Sequence, residues 1–446
     1  MSRTMKDSGI FDGVEIPTTW DTMKFGKVCS VVTDFVASGS FADLRENVPY
    51  LSEPDYAMLV RTTDLAKTAR SEGKVYISKA SYEFLSNSNL FGGEIVLPNI
   101  GSIGDVYVVP KLYERMSLAP NSIMFKTRYC DKYYYYYFLS KVGGLQLSEI
   151  SQSTAMAKFN KTDLKQIRVF LPSLAEQQRI AEFLDRKCSE IDSLIDLQEQ
   201  MIEELKAYKQ SVITEAVTKG IRNEELGVRN YKDSGIDWIG DVPEEWEVCR
   251  IRNLGITQNG ISKGGEFFGE GEPFISYSDV YKNIELPQIA SGLIQSSQEE
   301  QDRFSVCKGD VFFTRTSETI EEIGFSSTCT KTIEKAVYAG FLIRFRPKQG
   351  VLNDGYSKYY FRSDVHRAYF VKEMNIVTRA SLSQDLLKSL VVLLPPISEQ
   401  QAIADYLDKK CGEIDELITI KQQKIESLKE YKKSVIYEYV TGKREV

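Results

Sequence analysis

From Leu171 the chain reads LPSLAEQQRIAEFLDRKCSEIDSLIDLQEQMIEELKAYKQSVITEAV, and from Leu394 it reads LPPISEQQAIADYLDKKCGEIDELITIKQQKIESLKEYKKSVIYEYV. The copies align without a gap at an offset of 223, from Leu171 to Leu394. They share Pro172/Pro395, Glu176/Glu399, Gln177/Gln400, Cys188/Cys411, Asp192/Asp415 and Tyr208/Tyr431. A duplication of this length governs every other reading of the chain. In the first copy Ile180, Leu184, Cys188, Ile191, Ile195, Ile202, Leu205, Val212 and Ala216 follow alternating spacings of four and three, the pattern of one apolar stripe along a long helix. The second copy repeats the stripe at Ile403, Leu407, Cys411, Ile414, Ile418, Ile425, Leu428, Val435 and Tyr439. Each helix starts at a proline turn, with Ser173 or Ser398 as its expected cap, and runs for about 43 residues, roughly 65 Å. Such a helix outreaches a single globular core, so its stripe needs a partner, and the matching stripe is the other copy. Gln198 and Lys421 occupy equivalent polar positions halfway along. A polar residue there either fixes register at a cost in stability or is simply solvated.

The totals bound the rest. A chain of 446 residues with 42% hydrophobic and 11% aromatic residues is long enough for two or three domains with substantial cores. No long uncharged apolar run suggests a membrane span, and MSRTMKDSGIFDG lacks the apolar core of a signal peptide, so a cytoplasmic protein is expected. Seven cysteines lie scattered without metal-ligand spacing, and a single histidine, His366, argues against zinc sites and histidine-based nucleophile activation. The net charge of −7 does not describe a uniformly basic nucleic-acid binder, although residues 1–170 alone are near neutral.

Ahead of each repeat lies a globular stretch, and these stretches also match. DSGIFDGVEIPTTW (Asp7 to Trp20) parallels DSGIDWIGDVPEEW (Asp233 to Trp246). LVRTTDL (from Leu59) parallels FISYSDV (from Phe274), and GGEIVLPNIGSIG (from Gly92) parallels KGDVFFTRTSETIEEIG (from Lys308). The expected plan is therefore domain 1–170, helix 171–220, domain 221–393 and helix 394–446. Between the landmarks the domains differ, which suits one scaffold carrying two binding surfaces. VYIS, EIVLPN, VYVVP, DVFFTR and AGFLIRF read as strands. KYYYYYFLSK (Lys132 to Lys141) and SKYYFRSDVHRAYF (Ser357 to Phe370) read as helices in corresponding places. The tyrosine run invites base stacking, but a half-buried helix whose hydroxyls reach the surface explains it more simply.

Chemistry is sparse. Gly255 to Ser262 has the glycines of a phosphate loop without its lysine, and neither LPNI at Leu97 nor LPPI at Leu394 is the tetrapeptide of DNA amino-methyltransferases. No catalytic or metal-binding constellation stands out, and the residues read as a binding and assembly protein.

The duplicated LPxxxEQxxIAxxLD helix, the repeated DSGI…P…W opening and the GE/GD turn together resemble the specificity subunit of type I restriction-modification enzymes, over nearly the whole chain. The resemblance implies an α+β fold with a pseudo-two-fold internal repeat: two globular mixed α/β target-recognition domains separated by two long antiparallel coiled-coil helices. It also implies double-stranded DNA as ligand, with each domain reading half of a split site. Two modification (methyltransferase) subunits would dock on the helices, and restriction subunits would complete the assembly. S-adenosylmethionine, ATP and Mg²⁺ are then expected in the partners, with no cofactor on this chain. A fused or standalone endonuclease and a coiled-coil adaptor that makes no DNA contact are the competing readings.

Polar residues in the landmark loops are the natural readers of base edges. These are Arg61, Thr62, Thr63 and Asn99, Ser102 in the first domain, flanked by Lys74 and Lys79. In the second they are Ser276, Tyr277, Ser278 and Arg315, Thr316, Ser317, with Lys263 in a Gly-rich loop. Arg315, in a polar turn after a strand, is best suited to a bidentate contact with guanine.

Overall fold

The structure is a computed structural model, and it describes residues 3–66, 73–151, 157–221, 229–317, 323–373 and 380–446. The chain divides into two compact units, Met1–Gln198 with Gln423–Val446, and Glu199–Gln422, so each unit owns one globular part and half of each long helix. The helices run from Leu174 to Lys219 (46 residues) and from Ile397 to Val440 (44 residues). Ser173 caps the first, its Oγ accepting from Glu176 N at 3.3 Å. Ser398 does not cap the second. It lies inside the first turn, and Pro396 occupies the position of Ser173, its carbonyl accepting from Glu399 N and Gln400 N at 2.8 and 3.0 Å. The gapless alignment sets Pro396, not Ser398, opposite Ser173, and a proline has only its carbonyl to offer.

Within the first unit the helices pack antiparallel. Ile180, Leu184 and Cys188 share a core with Val435, Ile436 and Val440. Phe183 lies 4.3 Å from Tyr439 between ring centroids, and Lys432 Nζ reaches both carboxylate oxygens of Asp192 at 2.7 Å. The second unit repeats this with the helices exchanged: Val212, Ile213, Ala216 and Val217 join Ile403, Leu407 and Cys411, while Lys209 Nζ reaches both oxygens of Asp415 at 2.7 Å. Of the expected stripe, Ile180, Leu184, Ile191, Ile202, Ile403, Leu407, Ile414 and Ile425 are buried, whereas Ile195, Leu205, Ile418 and Leu428 are half-buried. Gln198 and Lys421 are half-buried too.

Each globular part joins a four-stranded antiparallel sheet to a second sheet containing one parallel pair, of four strands in the first unit and three in the second. In the first unit the main sheet runs Cys29–Asp34, Ser122–Thr127, Ile95–Pro98, Tyr107–Val108, and the second sheet pairs Ala57–Val60 parallel with Met116–Leu118. In the second, Gly255–Asn259, Leu342–Pro347, Val311–Thr314 and Ser326–Thr328 form the main sheet, and Phe268–Ile275 pairs parallel with Val337–Tyr338. Ala57–Val60, Ile95–Pro98 and Val311–Thr314 are buried throughout, as expected of short unbroken apolar runs covered on both faces.

The tyrosine run forms the helix Asp131–Leu139, but it is no half-buried helix with hydroxyls at the surface. Tyr133, Tyr134 and Tyr137 are fully buried, and their hydroxyls donate to Val440 O, Phe170 O and Gln146 Oε1 at 3.0, 3.2 and 2.8 Å. Burying a phenol is tolerable only with its O–H bonded, and the helix end and the strand Arg168–Leu171 supply acceptors. The run is therefore the keel between domain and long helix, with Tyr133, Tyr134, Tyr136 and Tyr137 buried and Tyr135 half-buried. Its counterpart is two helices, not one: Asp354–Tyr360 and Asp364–Glu373, broken where Ser363 Oγ turns back to Tyr360 O at 2.7 Å. Ser140 Oγ and Tyr137 O make the same break in the first unit at 2.6 Å.

Candidate nucleic-acid interface

The duplicated motif residues hold each domain on its helix. Glu176 accepts the Trp20 indole N–H at 2.8 Å and pairs with Arg3 at 2.5 Å. Glu399 accepts from Trp246 at 2.9 Å and pairs with Arg229 at 2.7 Å. Gln177 spans Pro172 O and Cys130 N, and Gln400 spans Pro395 O and Asn353 N. Tyr136 donates to Asp185 at 2.8 Å, as Tyr359 does to Asp408 at 2.7 Å. These clamps account for the repeated Trp and EQ letters, and leave the loops at the sheets free to diverge.

The first pair of landmark loops opens short helices. Arg61 precedes Thr62–Leu65, and its guanidinium donates to both oxygens of Asp64 at 3.0 and 2.9 Å and to Gly73 O at 2.8 Å. Its donor fork is thus engaged by its own chain. Ser276 caps Tyr277–Lys282 through a reciprocal box with Asp279, and the Tyr277 ring stacks 5.9 Å from Tyr281. The shared Asp64/Asp279 is what aligns these loops: each carboxylate accepts the cap residue's backbone N–H, at 2.9 and 2.8 Å. Thr63 and Ser278 are exposed, Thr62 half-buried, and Lys74 and Lys79 exposed, the last 3.8 Å from Glu83. Lys263 is engaged as well: Nζ donates to Glu300 at 2.6 Å and to Gln295 O at 2.8 Å, above the Phe267 ring.

The second landmark pair is built on a buried carboxylate. Glu94, 2% exposed, accepts from Phe91 N and Gly92 N at 3.1 and 2.8 Å and pairs with Lys126 at 3.1 Å. Burial alone pushes this carboxyl up, yet Lys126 and the backbone N–H groups outweigh it and hold it below its usual range. Asp310 repeats the arrangement, accepting from Cys307 N at 2.8 Å and twice from Arg346 at 2.6 Å. Beyond the strand, Asn99 and Arg315 prove equivalent by backbone register. Asn99 N donates to Asn121 O at 3.1 Å and its O accepts from Phe159 N at 3.1 Å; Arg315 N donates to Phe341 O at 3.0 Å and its O accepts from Leu382 N at 2.7 Å. Asn99 also spends its amide on Phe159 O, at 2.9 Å. Arg315 is half-exposed, and its guanidinium makes no hydrogen bond or ion pair with a described residue. Ser102 is exposed and Thr316 half-buried in the strand pairing Thr316–Ser317 with Ala380–Ser381. The Ser317 side chain and residues 318–322 lie outside the described residues.

One feature escaped the stripe pattern. In the first unit Leu194, Leu197 and Tyr431 stand 47, 49 and 49% exposed on the long helices, and in the second Leu417, Ile420 and Tyr208 stand 47, 52 and 57% exposed. Each residue recurs in the other copy at the repeat offset, so the duplication itself marked them. Among the described residues no group of three His, Cys, Asp or Glu side chains is placed to hold a metal, and no helix is long and apolar enough to cross a membrane.

Two differently surfaced domains on identical clamps define a duplicated recognition scaffold. Comparison with known proteins makes this specific. The family profile of the type I restriction modification DNA specificity domain matches twice, over residues 17–207 and 243–442. The chain is 25% identical over 447 residues to the type I restriction enzyme MjaVIII specificity subunit of Methanocaldococcus jannaschii, covering 97% of this chain and 94% of that one. It is 28% identical over 267 residues to the EcoKI specificity subunit of Escherichia coli K12, covering 58 and 53%. In fold it is similar to the HsdS subunit of Thermoanaerobacter tengcongensis (TM-score 0.52, 14% identity, 97 and 99% covered). It is also similar to a chain from a structural study of complex assembly in a type I R-M system (TM-score 0.69, 14% identity, 95 and 98% covered). The chain belongs to the type I restriction-modification specificity family: a non-catalytic DNA-recognition subunit with two target-recognition domains.

Proposed function

We propose that each domain reads one half of a bipartite DNA site, and that the long helices set the spacing between halves and dock two modification subunits. The Arg315 guanidinium, which no described residue engages, carries the first part, because a planar fork on a clamped backbone suits guanine O6 and N7 in the major groove. Thr63, Lys74, Lys79, Ser102, Ser278 and Thr316 remain candidates for contacts around it. Arg61, Lys263, Ser276 and Asn99 act first as supports, since their side chains are bonded within the chain. The exposed apolar residues that recur on both long helices support docking of two copies of one partner, one set in each unit. S-adenosylmethionine, ATP and Mg²⁺ then reside in modification and restriction subunits, and the assembly works in the cytoplasm.

The test is the methylated motif, read genome-wide from cells expressing this chain with its modification subunit. Arg315→Ala removes about 1–3 kcal/mol of base discrimination, so one or two positions in one half-site should degrade while the other half stays unchanged. An unaltered motif removes Arg315 from the interface.

A further inference from the structure

Phe341 is 65% exposed, and its ring makes no aromatic contact with a described residue. It is not on a loose segment. Leu342 N donates to Ala339 O at 3.0 Å and closes a four-residue turn, Ala339 N donates to Ile275 O at 3.0 Å, and Gly260 N reaches Leu342 O at 3.3 Å. Gly340 is closely covered as well: a Cβ there would push Ser262 Oγ aside and crowd Ile261 O at 3.1 Å. The ring is thus presented to solvent from a fixed backbone, and that backbone is bonded to Arg315: the Phe341 carbonyl accepts the Arg315 N–H at 3.0 Å. The neighbouring strand, Leu342–Pro347, is buried over its first four residues, so the core does not need Phe341.

We propose that Phe341 packs on the C5-methyl of a thymine in the major groove, at the base pair next to the one Arg315 reads. The inference rests on the recognition reading above and gives it a second letter. An arginine fork on guanine and an apolar contact with a thymine methyl are made in the same groove, so one rigid edge carrying both side chains reads two neighbouring pairs. The apolar ring adds what hydrogen bonds do not, a distinction between thymine and its demethylated analogue. The first unit presents Asn99 and Asn121 at the equivalent places, Asn121 with φ 69°, so this apolar contact belongs to the second half-site alone.

The experiment uses the full chain assembled with its modification subunit, and duplexes carrying the methylated motif in which each thymine of the second half-site is replaced in turn by deoxyuridine. The wild-type complex should lose about five- to ten-fold in affinity at one thymine, adjacent to the pair relaxed by Arg315→Ala. Phe341→Ala should weaken the parent duplex by the same factor, become indifferent to deoxyuridine at that position and leave the first half-site readout unchanged. Phe341→Leu should retain most of the affinity. Parent-duplex affinity unchanged by Phe341→Ala, or deoxyuridine sensitivity surviving in that variant, overturns the assignment while sequence-specific binding persists. A wild-type complex that binds all duplexes alike overturns the recognition reading together with it.

Discussion

Glu94 shows how much one side chain carries at the residue scale. Its carboxylate ties the Gly92–Gly93 turn to the strand Ser122–Thr127 through Lys126. Because its folded pKa lies below the unfolded value of about 4.3, its contribution is complete above that pH and is lost as the pH falls through the folded value. Glu94→Gln should cost about 1–3 kcal/mol at pH 7 and remove this part of the acid sensitivity. Hydrogen exchange at the amides of Ile95, Val96 and Leu97, at pH 7 and at acid pH below the usual carboxylate range, measures both, and an equal acid loss in the variant would dismiss Glu94 as its source. The repeated Gly-acid letters announced a shared turn, but its lysine or arginine partner lies on another strand. That pairing was invisible in sequence because sheet register, not spacing, brings it about.

At the scale of elements, the stripe was legible because a period near 3.5 survives without knowledge of the fold. Its width was not. Ala181, Ile213, Val217, Ala404, Ile436 and Val440 are buried as well, because the domains cover flanks that a two-helix seam would leave wet. Ile191 and Ile414 are 2 and 4% exposed. Ile191→Asn with Ile414→Asn should therefore leave an unpaired amide in each unit at about 1–3 kcal/mol apiece, beyond the lost apolar burial. Copurification with the modification subunit should fail. Recovery of an intact, methylating complex would contradict the seam. The tyrosine helix teaches the converse: five like letters have no amphipathic period, and only the acceptors at Phe170 O, Val440 O and Gln146 reveal which way each ring points.

For the whole molecule, the ruler reading makes a geometric prediction. Seven residues inserted after Gln198 and seven after Lys421 keep the heptad phase and lengthen the helices by about 10 Å. At about 3.4 Å per base pair, the spacer in the methylated motif should grow by about three pairs, with both half-site sequences intact. An active complex with the original spacer would refute the ruler. The duplication, the two long helices and the family were decided by the sequence itself, because repetition and heptad period are local properties of the letters, whereas the compact units, each with half of both helices, emerge only in the fold. Which polar loop residues face outward was decided only by tertiary structure. Arg61 and Lys263 looked as available as Arg315 until Asp64 and Glu300 were seen to hold them. A cation's freedom depends on which carboxylates and carbonyls the fold brings within about 3 Å. For Lys263 that partner stands 37 residues away, beyond any local pattern.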